Sequence, residues 1–165
     1  MRFFTQPPAS LGLANPVTLI ATWFGSGLIA KAPGTWGSLA ALPFAFLIVS
    51  LGGPFALAAA ATLAFAIGIP AAARYAHALD RPDPSEVVID EVAAQWLVLA
   101  VLPVTPLAWA AGFLFFRFFD IVKPWPVSLA DRKLKGGLGI MADDMLAAAY
   151  AILLILVCRQ FTEAF

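Results

Sequence analysis

The sequence predicts an all-α protein, a polytopic bundle of about five transmembrane helices preceded by a short N-terminal interfacial or re-entrant helix. Of its 165 residues, 62% are hydrophobic and only 12% are charged, a composition outside the usual range of soluble domains. Residues 32–73 and 92–116 contain no Asp, Glu, Lys or Arg, and about 20 helical residues cross a bilayer core. Because no repeat or linker divides the chain, residues 1–165 are predicted to form a single membrane-embedded domain.

The first two elements are predicted from capping and turn residues. Asn15 and Pro16 have the order of a helix start, and the apolar segment after them predicts the short N-terminal helix. Residues 39–51 and 55–79 are apolar and flank the uncharged segment "GGP". They predict a hairpin of two spans, with glycine and proline at the turn.

The remaining three spans are separated by proline-containing segments. Asp83 is suited to cap a third helix, with Pro84 at the first position and Glu86 completing a capping box. This helix is predicted to end at "PVTP", and residues 107–122 predict the fourth span. A polar loop then leads to the last span, predicted to begin at Met141.

The distribution of basic residues predicts the orientation in the membrane. The turns at residues 52–54 and 103–106 are uncharged. Seven basic residues fall on the opposite side, namely Lys31, Arg74, Arg81, Lys123, Arg132, Lys133 and Lys135. By the positive-inside rule that side is the cytoplasm, so the carboxylates that share it predict a polar site at the cytoplasmic face.

Asp90 and Glu91 are predicted to lie at membrane depth, two turns into the third helix. Ionised carboxylates at such a depth are costly unless they face the protein interior and find a cation, so a functional role is the default interpretation. Asp83 and Glu86 have a structural role in the capping box, although their spacing also aligns them with Asp90.

Asp143 and Asp144 admit two interpretations. They are predicted in the first turn of the last helix, where an acid interacts favourably with the helix dipole. One acid satisfies that role, and the second points about 100° away. Two acidic pairs on two helices instead predict a site for a hard divalent cation, Mg²⁺, since the chain has one histidine and one cysteine. The predicted ligands are Asp83, Asp90, Glu91, Asp143 and Asp144.

Cations near these acids predict a phosphate-binding site. Arg117 has a planar fork suited to phosphate oxygens, and Lys123 follows it, although Arg117 also has Asp120 one turn away as an ion-pair partner. The glycine-rich segments "KAPGTWGS" and "KGGLGI" precede helices, where backbone N–H groups bind anions. Lys31, Thr35 and Ser38 are therefore candidate phosphate contacts, with helix capping as the alternative for Thr35 and Ser38.

A divalent cation, phosphate-binding cations and a site at the lipid boundary together predict phosphate-ester chemistry on a phospholipid. Ten acidic and ten basic residues balance, so the overall charge gives no indication of nucleic-acid binding. The predicted catalytic carboxylates are Asp90, Glu91, Asp120, Asp143 and Asp144. Direct attack by water and an aspartyl-phosphate intermediate both remain open.

Four blocks of the sequence resemble the bacterial phosphatidylglycerophosphatase A family. In chain order they are "GSGLIAKAPGTWGSLAALP", "DPSEVVIDE", "FRFFDIVKPWP" and "GGLGIMADDMLA". The resemblance implies Mg²⁺-dependent hydrolysis of phosphatidylglycerol phosphate to phosphatidylglycerol and inorganic phosphate, at the cytoplasmic face of the inner membrane. The chain departs from the family at Ala94 and Ala148, where the family often has glycine.

The family's motif residues fall on positions that were also singled out by their chemistry. They are Asp83, Asp90, Glu91, Arg117, Asp120, Lys123, Asp143 and Asp144. Two other classes of function use the same acids. An ion-coupled transporter would bind its cargo with them, and a structural membrane subunit would use them only to cap helices and pair with Arg117 and Lys123.

Overall fold

The computed structural model describes residues 3–161, without the side chains of residues 130 and 131. It confirms the all-helical prediction, since no strand occurs in that range beyond one isolated bridge. A single 3₁₀ turn, Ser26–Leu28, follows the first helix. The α-helices are α1 (Pro16–Ala21), α2 (Pro33–Leu79), α3 (Ile89–Leu99), α4 (Pro106–Val122), α5 (Val127–Lys133) and α6 (Gly136–Cys158).

Helix α2 is a hairpin of two limbs. Its helical geometry is interrupted at Gly53, whose φ of 74° and ψ of −175° are essentially restricted to glycine. A Cβ added at Gly37 would lie 2.6 Å from Val88, and one added at Gly68 would lie 3.3 Å from Ile89. In a straight helix the two glycines would be about 46 Å apart. The predicted hairpin is therefore confirmed.

The predicted start of the third helix is wrong. Helix α3 begins six residues after Asp83, and its N-cap is Val88. The N–H of Val88 donates to the carbonyl oxygen of Ala21 at 2.8 Å, which holds the preceding segment against α1 in a non-helical conformation. Glu86 pairs with Arg81 at 3.1 Å and takes no part in a capping box.

Helix α3 forms the centre of the bundle. Nine of its eleven residues are buried, and it packs against α2, α4 and α6. The indole N–H of Trp96 donates to the carbonyl oxygen of Ala41 at 2.9 Å, which joins α3 to the first limb of α2. Ala94 and Ala148 are both fully buried, so alanine in place of the family's glycine still packs inside the bundle.

Helices α4 to α6 complete the bundle with two differences from prediction. Helix α4 begins as predicted, because the Thr105 hydroxyl accepts from the N–H of Ala108. The predicted polar loop contains the short helix α5, and α6 begins five residues before Met141. A Cβ at Gly137 would overlap the carbonyl oxygen of Ile69, so this glycine lets α6 approach α2 closely.

Two of the described helices, α2 and α6, are long and apolar enough to cross a membrane. On the first of them, Leu51, Phe55 and Leu63 are between 61% and 89% exposed, and an apolar surface of this kind indicates membrane association. Helix α3 has 11 residues and α4 has 17. The prediction of about five spans is therefore not confirmed.

Candidate active site

A cavity of about 330 Å³ lies where four helices meet. It is bounded by the start of α2, the first turn of α3, the end of α4 and the second and third turns of α6. The structure thus brings together residues that are distant in sequence. The charged residues lining the cavity are Asp83, Asp90, Glu91, Arg117, Asp120, Lys123, Asp143 and Asp144.

Three of these carboxylates form a compact group, the acidic trio of Asp90, Glu91 and Asp144. One oxygen from each lies within 4.8 Å of the other two. Asp90 is 8% exposed and Asp144 is 4% exposed. Like charges held this close and away from water repel strongly, so the arrangement needs either positive charge nearby or protonation of a carboxyl group.

The trio fits a hard divalent cation. Mg²⁺ binds oxygen at about 2.0 to 2.1 Å, so octahedral ligands are separated by at most about 4.2 Å. The trio oxygens, which all lie within 4.8 Å of one another, need only small side-chain movements to meet this limit. One oxygen of Glu91 (Oε2) and one of Asp144 (Oδ2) are buried without a hydrogen-bond partner among residues 3–161. An all-oxygen donor set suits Mg²⁺, Mn²⁺ or Ca²⁺ and does not suit zinc or copper.

Asp143 and Asp144 point to different partners. Oδ2 of Asp143 is 2.6 Å from Nζ of Lys123, whereas Asp144 joins the trio. Both lie seven or more residues beyond Gly136, where α6 begins. The prediction that they are first-turn acids is therefore wrong, since the helix dipole acts mainly within the first turn.

Asp83 and Asp143 line the cavity but are not part of the trio. Asp83 is exposed, because it lies in the non-helical segment before α3. Its predicted helical alignment with Asp90 does not occur. Of the five predicted metal ligands, the structure therefore places three at metal-binding distances from one another.

Arg117 lies beside the trio. Its Nη1 is 2.5 Å from Oδ2 of Asp120 and 3.7 Å from Oε1 of Glu91. Asp120 in turn lines the same cavity as Asp144. The Nε–H of Arg117 is buried with no hydrogen-bond partner among the described residues. The ion pair with Asp120 fixes the guanidinium, and its Nε–H can donate to an anion in the cavity.

The three predicted phosphate contacts near the start of α2 do not line the cavity. Lys31 is exposed, and the buried hydroxyl of Ser38 donates to the carbonyl oxygen of Gly34 at 2.9 Å. The N-cap of α2 is Ala32, so the capping alternative for Thr35 and Ser38 is wrong. Both glycine-rich segments are already helical from residues 33 and 136, and neither forms the predicted anion-binding turn.

Sequence reasoning did not identify Gly34, which lines the cavity, or Gln95, which is buried in α3 and does not line it. A Cβ at Gly34 would overlap Oε1 of Glu91 and lie 3.1 Å from Nη1 of Arg117. The side chain of Gln95, one turn after Glu91, is fully buried, and both its polar atoms lack hydrogen-bond partners in the described chain. The sequence signal that could have identified Gln95 is its position as a lone polar residue in the apolar run "VAAQWLVL".

We expect Gly34→Ala to lower the predicted phosphatase activity at least tenfold, because the added methyl displaces the Glu91 carboxylate and disturbs Arg117. Thr35→Ala is the matched control, because the neighbouring Thr35 does not line the cavity. It should change activity less than twofold. Phosphate release and thermal unfolding of both variants check this prediction. Equal activity in the two variants would show that space at Gly34 is not needed.

Comparison with known proteins places the chain among lipid phosphatases. Residues 19–159 match the family model described as phosphatidylglycerophosphatase A. The phosphatidylglycerophosphatase A of Haemophilus influenzae is 41% identical over 151 residues, covering 91% of this chain and 93% of that protein. The Escherichia coli protein of the same name is 42% identical over 139 residues, covering 83% and 80%.

A third relative has a different name. A putative phosphatidylinositol-3-phosphatase of Bacteroides thetaiotaomicron is 39% identical over 155 residues, covering 86% of this chain and 92% of that protein. No solved structure matches the chain.

Proposed function

The chain belongs to the phosphatidylglycerophosphatase A family and is a phosphoric monoester hydrolase, and from this premise we propose Mg²⁺-dependent hydrolysis of phosphatidylglycerol phosphate. The products are phosphatidylglycerol and inorganic phosphate. The observation that carries the proposal is the buried trio of Asp90, Glu91 and Asp144, with a free Arg117 donor beside it. A carboxylate cluster next to a guanidinium is suited to a metal-bound phosphate group.

The metal would be held by the acidic trio, and it supplies Lewis-acid stabilisation of charge on the phosphoryl oxygens. Arg117 donates from Nε to another phosphoryl oxygen, while Asp120 fixes the opposite side of the guanidinium. Lys123, held by Asp143, adds positive charge at the cavity wall. In the direct reaction, water attacks phosphorus, the bond from phosphorus to the glycerol oxygen breaks, and that oxygen takes up a proton.

The proposal includes the location of the site. We propose that the cavity opens at the cytoplasmic face of the inner membrane, because the positive-inside rule assigns the side with the basic residues Arg81 and Lys123 to the cytoplasm. A multi-pass arrangement would use the two limbs of α2 together with α3, α4 and α6. Because the helical part of α3 is only about 16 Å long, its non-helical flanks would complete that crossing.

A transporter that uses the same acids is less favoured. Beyond the trio, toward the opposite side of the bundle, Ala94 and Ala148 are fully buried. These two positions therefore offer no oxygen ligand to a cation that leaves the trio, which disfavours a transport path along them. A purely structural subunit is less favoured because two trio oxygens have no structural partner among the described residues.

The test is phosphate release by purified protein in lipid nanodiscs. We expect hydrolysis of phosphatidylglycerol phosphate to fall about 10²-fold or more in excess EDTA and to return with Mg²⁺. Phosphatidylinositol 3-phosphate serves as the comparison substrate and should be hydrolysed more slowly. Full activity in EDTA would contradict the metal requirement, and a preference for the inositol lipid would contradict the proposed substrate.

A further inference from the structure

A second cavity, of about 270 Å³, adjoins the active-site cavity. The two share Asp83, Ile140 and Asp143 as wall residues, so they lie side by side. The second cavity is bounded on its far side by the end of α5 and the start of α6. Arg132 and Lys135 from this region line the second cavity and do not line the first.

The second cavity differs from the first in charge. The active-site cavity carries a cluster of acids suited to a metal, whereas Arg132 and Lys135 are the basic residues on the far wall of the second cavity among the described side chains. Asp143, on the shared wall, is paired with Lys123. Asp83 is then the remaining acid facing Arg132 and Lys135 among the described lining residues. A cavity with this balance attracts a singly charged anion without a metal.

The proposed substrate carries two phosphate groups, a terminal monoester and a diester that joins the glycerol head group to the diacylglycerol. We infer that the second cavity binds the phosphodiester of the lipid while the acidic trio and Arg117 engage the monoester. This inference rests on the proposed function. It assigns Arg132 and Lys135 to substrate binding, a role distinct from the orientation of the protein in the membrane.

The apolar part of the second cavity fits the same orientation of the lipid. Leu134, between Arg132 and Lys135, lines this cavity and is 42% exposed. The acyl chains begin directly beyond the phosphodiester, so an exposed leucine at this position continues the binding surface toward lipid. The head group is thereby held at both ends, which aligns the scissile bond with the trio.

Product inhibition tests the inference, because short-chain phosphatidylglycerol retains the diester and lacks the monoester. Its inhibition constant against wild-type protein is compared with those of Arg132→Ala, Lys135→Ala and the double variant, each in parallel with inorganic phosphate. Lys133→Ala is the matched control, since it removes an equal charge from the same helix and does not line the cavity. All assays use zwitterionic detergent at constant salt.

We expect each single variant to weaken inhibition by phosphatidylglycerol up to about fivefold, and the double variant about tenfold or more. Inhibition by inorganic phosphate should change less than twofold, and Lys133→Ala should change neither. Equal effects in Lys133→Ala would identify general surface charge and overturn the inference, as would the absence of any inhibition by phosphatidylglycerol. Failure of the proposed function gives a different result from failure of this inference, because wild-type protein would then release no phosphate from phosphatidylglycerol phosphate.

Discussion

Asp144→Asn is expected to lower the rate of phosphate release by about 10²–10³-fold at saturating Mg²⁺. Asp144 is 4% exposed, shares the trio with Asp90 and Glu91, and has one buried oxygen without a partner in the described chain. The amide keeps the size of the side chain and removes the negative charge. A metal ligand and its electrostatic contribution are lost while packing is preserved.

Two further substitutions separate this effect from a general loss of acidic charge. Asp80→Asn changes an exposed residue at the end of α2, outside the active-site cavity, and should leave activity within twofold. Asp143→Asn disrupts the pair with Lys123 and leaves the trio complete. We therefore expect this variant to lower the rate of phosphate release about tenfold. If Asp143→Asn were as damaging as Asp144→Asn, the two aspartates would not have the different roles assigned here.

Arg117→Ala is expected to lower kcat/KM by about 10²–10³-fold. The substitution removes the cation that lies 2.5 Å from Asp120 and 3.7 Å from Glu91, together with the free Nε donor. Asp120 and the trio would then face one another without that neutralising charge. Arg117→Lys should recover part of the activity, because an ammonium group supplies the charge but lacks the planar fork.

Loss of a partly buried cation also weakens folding, so thermal unfolding accompanies the kinetics. Arg74→Ala removes an exposed arginine of α2 that does not line the active-site cavity and serves as the control. We expect it to leave kcat/KM within twofold. Wild-type kcat/KM in Arg117→Ala would show that its ion pairs stabilise the bundle without contributing to the reaction.

The residue types at the site were predictable from the sequence, whereas their depth in each helix was not. The sequence predicted Asp90 and Glu91 two turns into a helix and Asp143 and Asp144 in a first turn, and the structure has the reverse. The start of α3 depends on the hydrogen bond from Val88 to α1, a tertiary contact that local capping signals do not reveal.

The start of α6 was not predicted from the sequence for a different reason. "KGGLGI" has the composition of a turn, because glycine is unfavourable inside helices. Gly137 is nevertheless helical, since its missing side chain lets α6 contact the carbonyl of Ile69. Gly34 is likewise helical, and its missing side chain leaves room for the carboxylate of Glu91. In both cases packing against another helix outweighs local propensity, and such contacts are not visible in a single sequence.

Binding of Mn²⁺, measured by electron paramagnetic resonance and displaced by Mg²⁺, tests the central claim most directly. Wild-type protein is expected to bind Mn²⁺ and to release it on addition of Mg²⁺, whereas Asp144→Asn should bind at least tenfold more weakly. Asp80→Asn should bind like wild type. If Asp144→Asn bound Mn²⁺ with unchanged affinity, the trio of Asp90, Glu91 and Asp144 would not be the metal site.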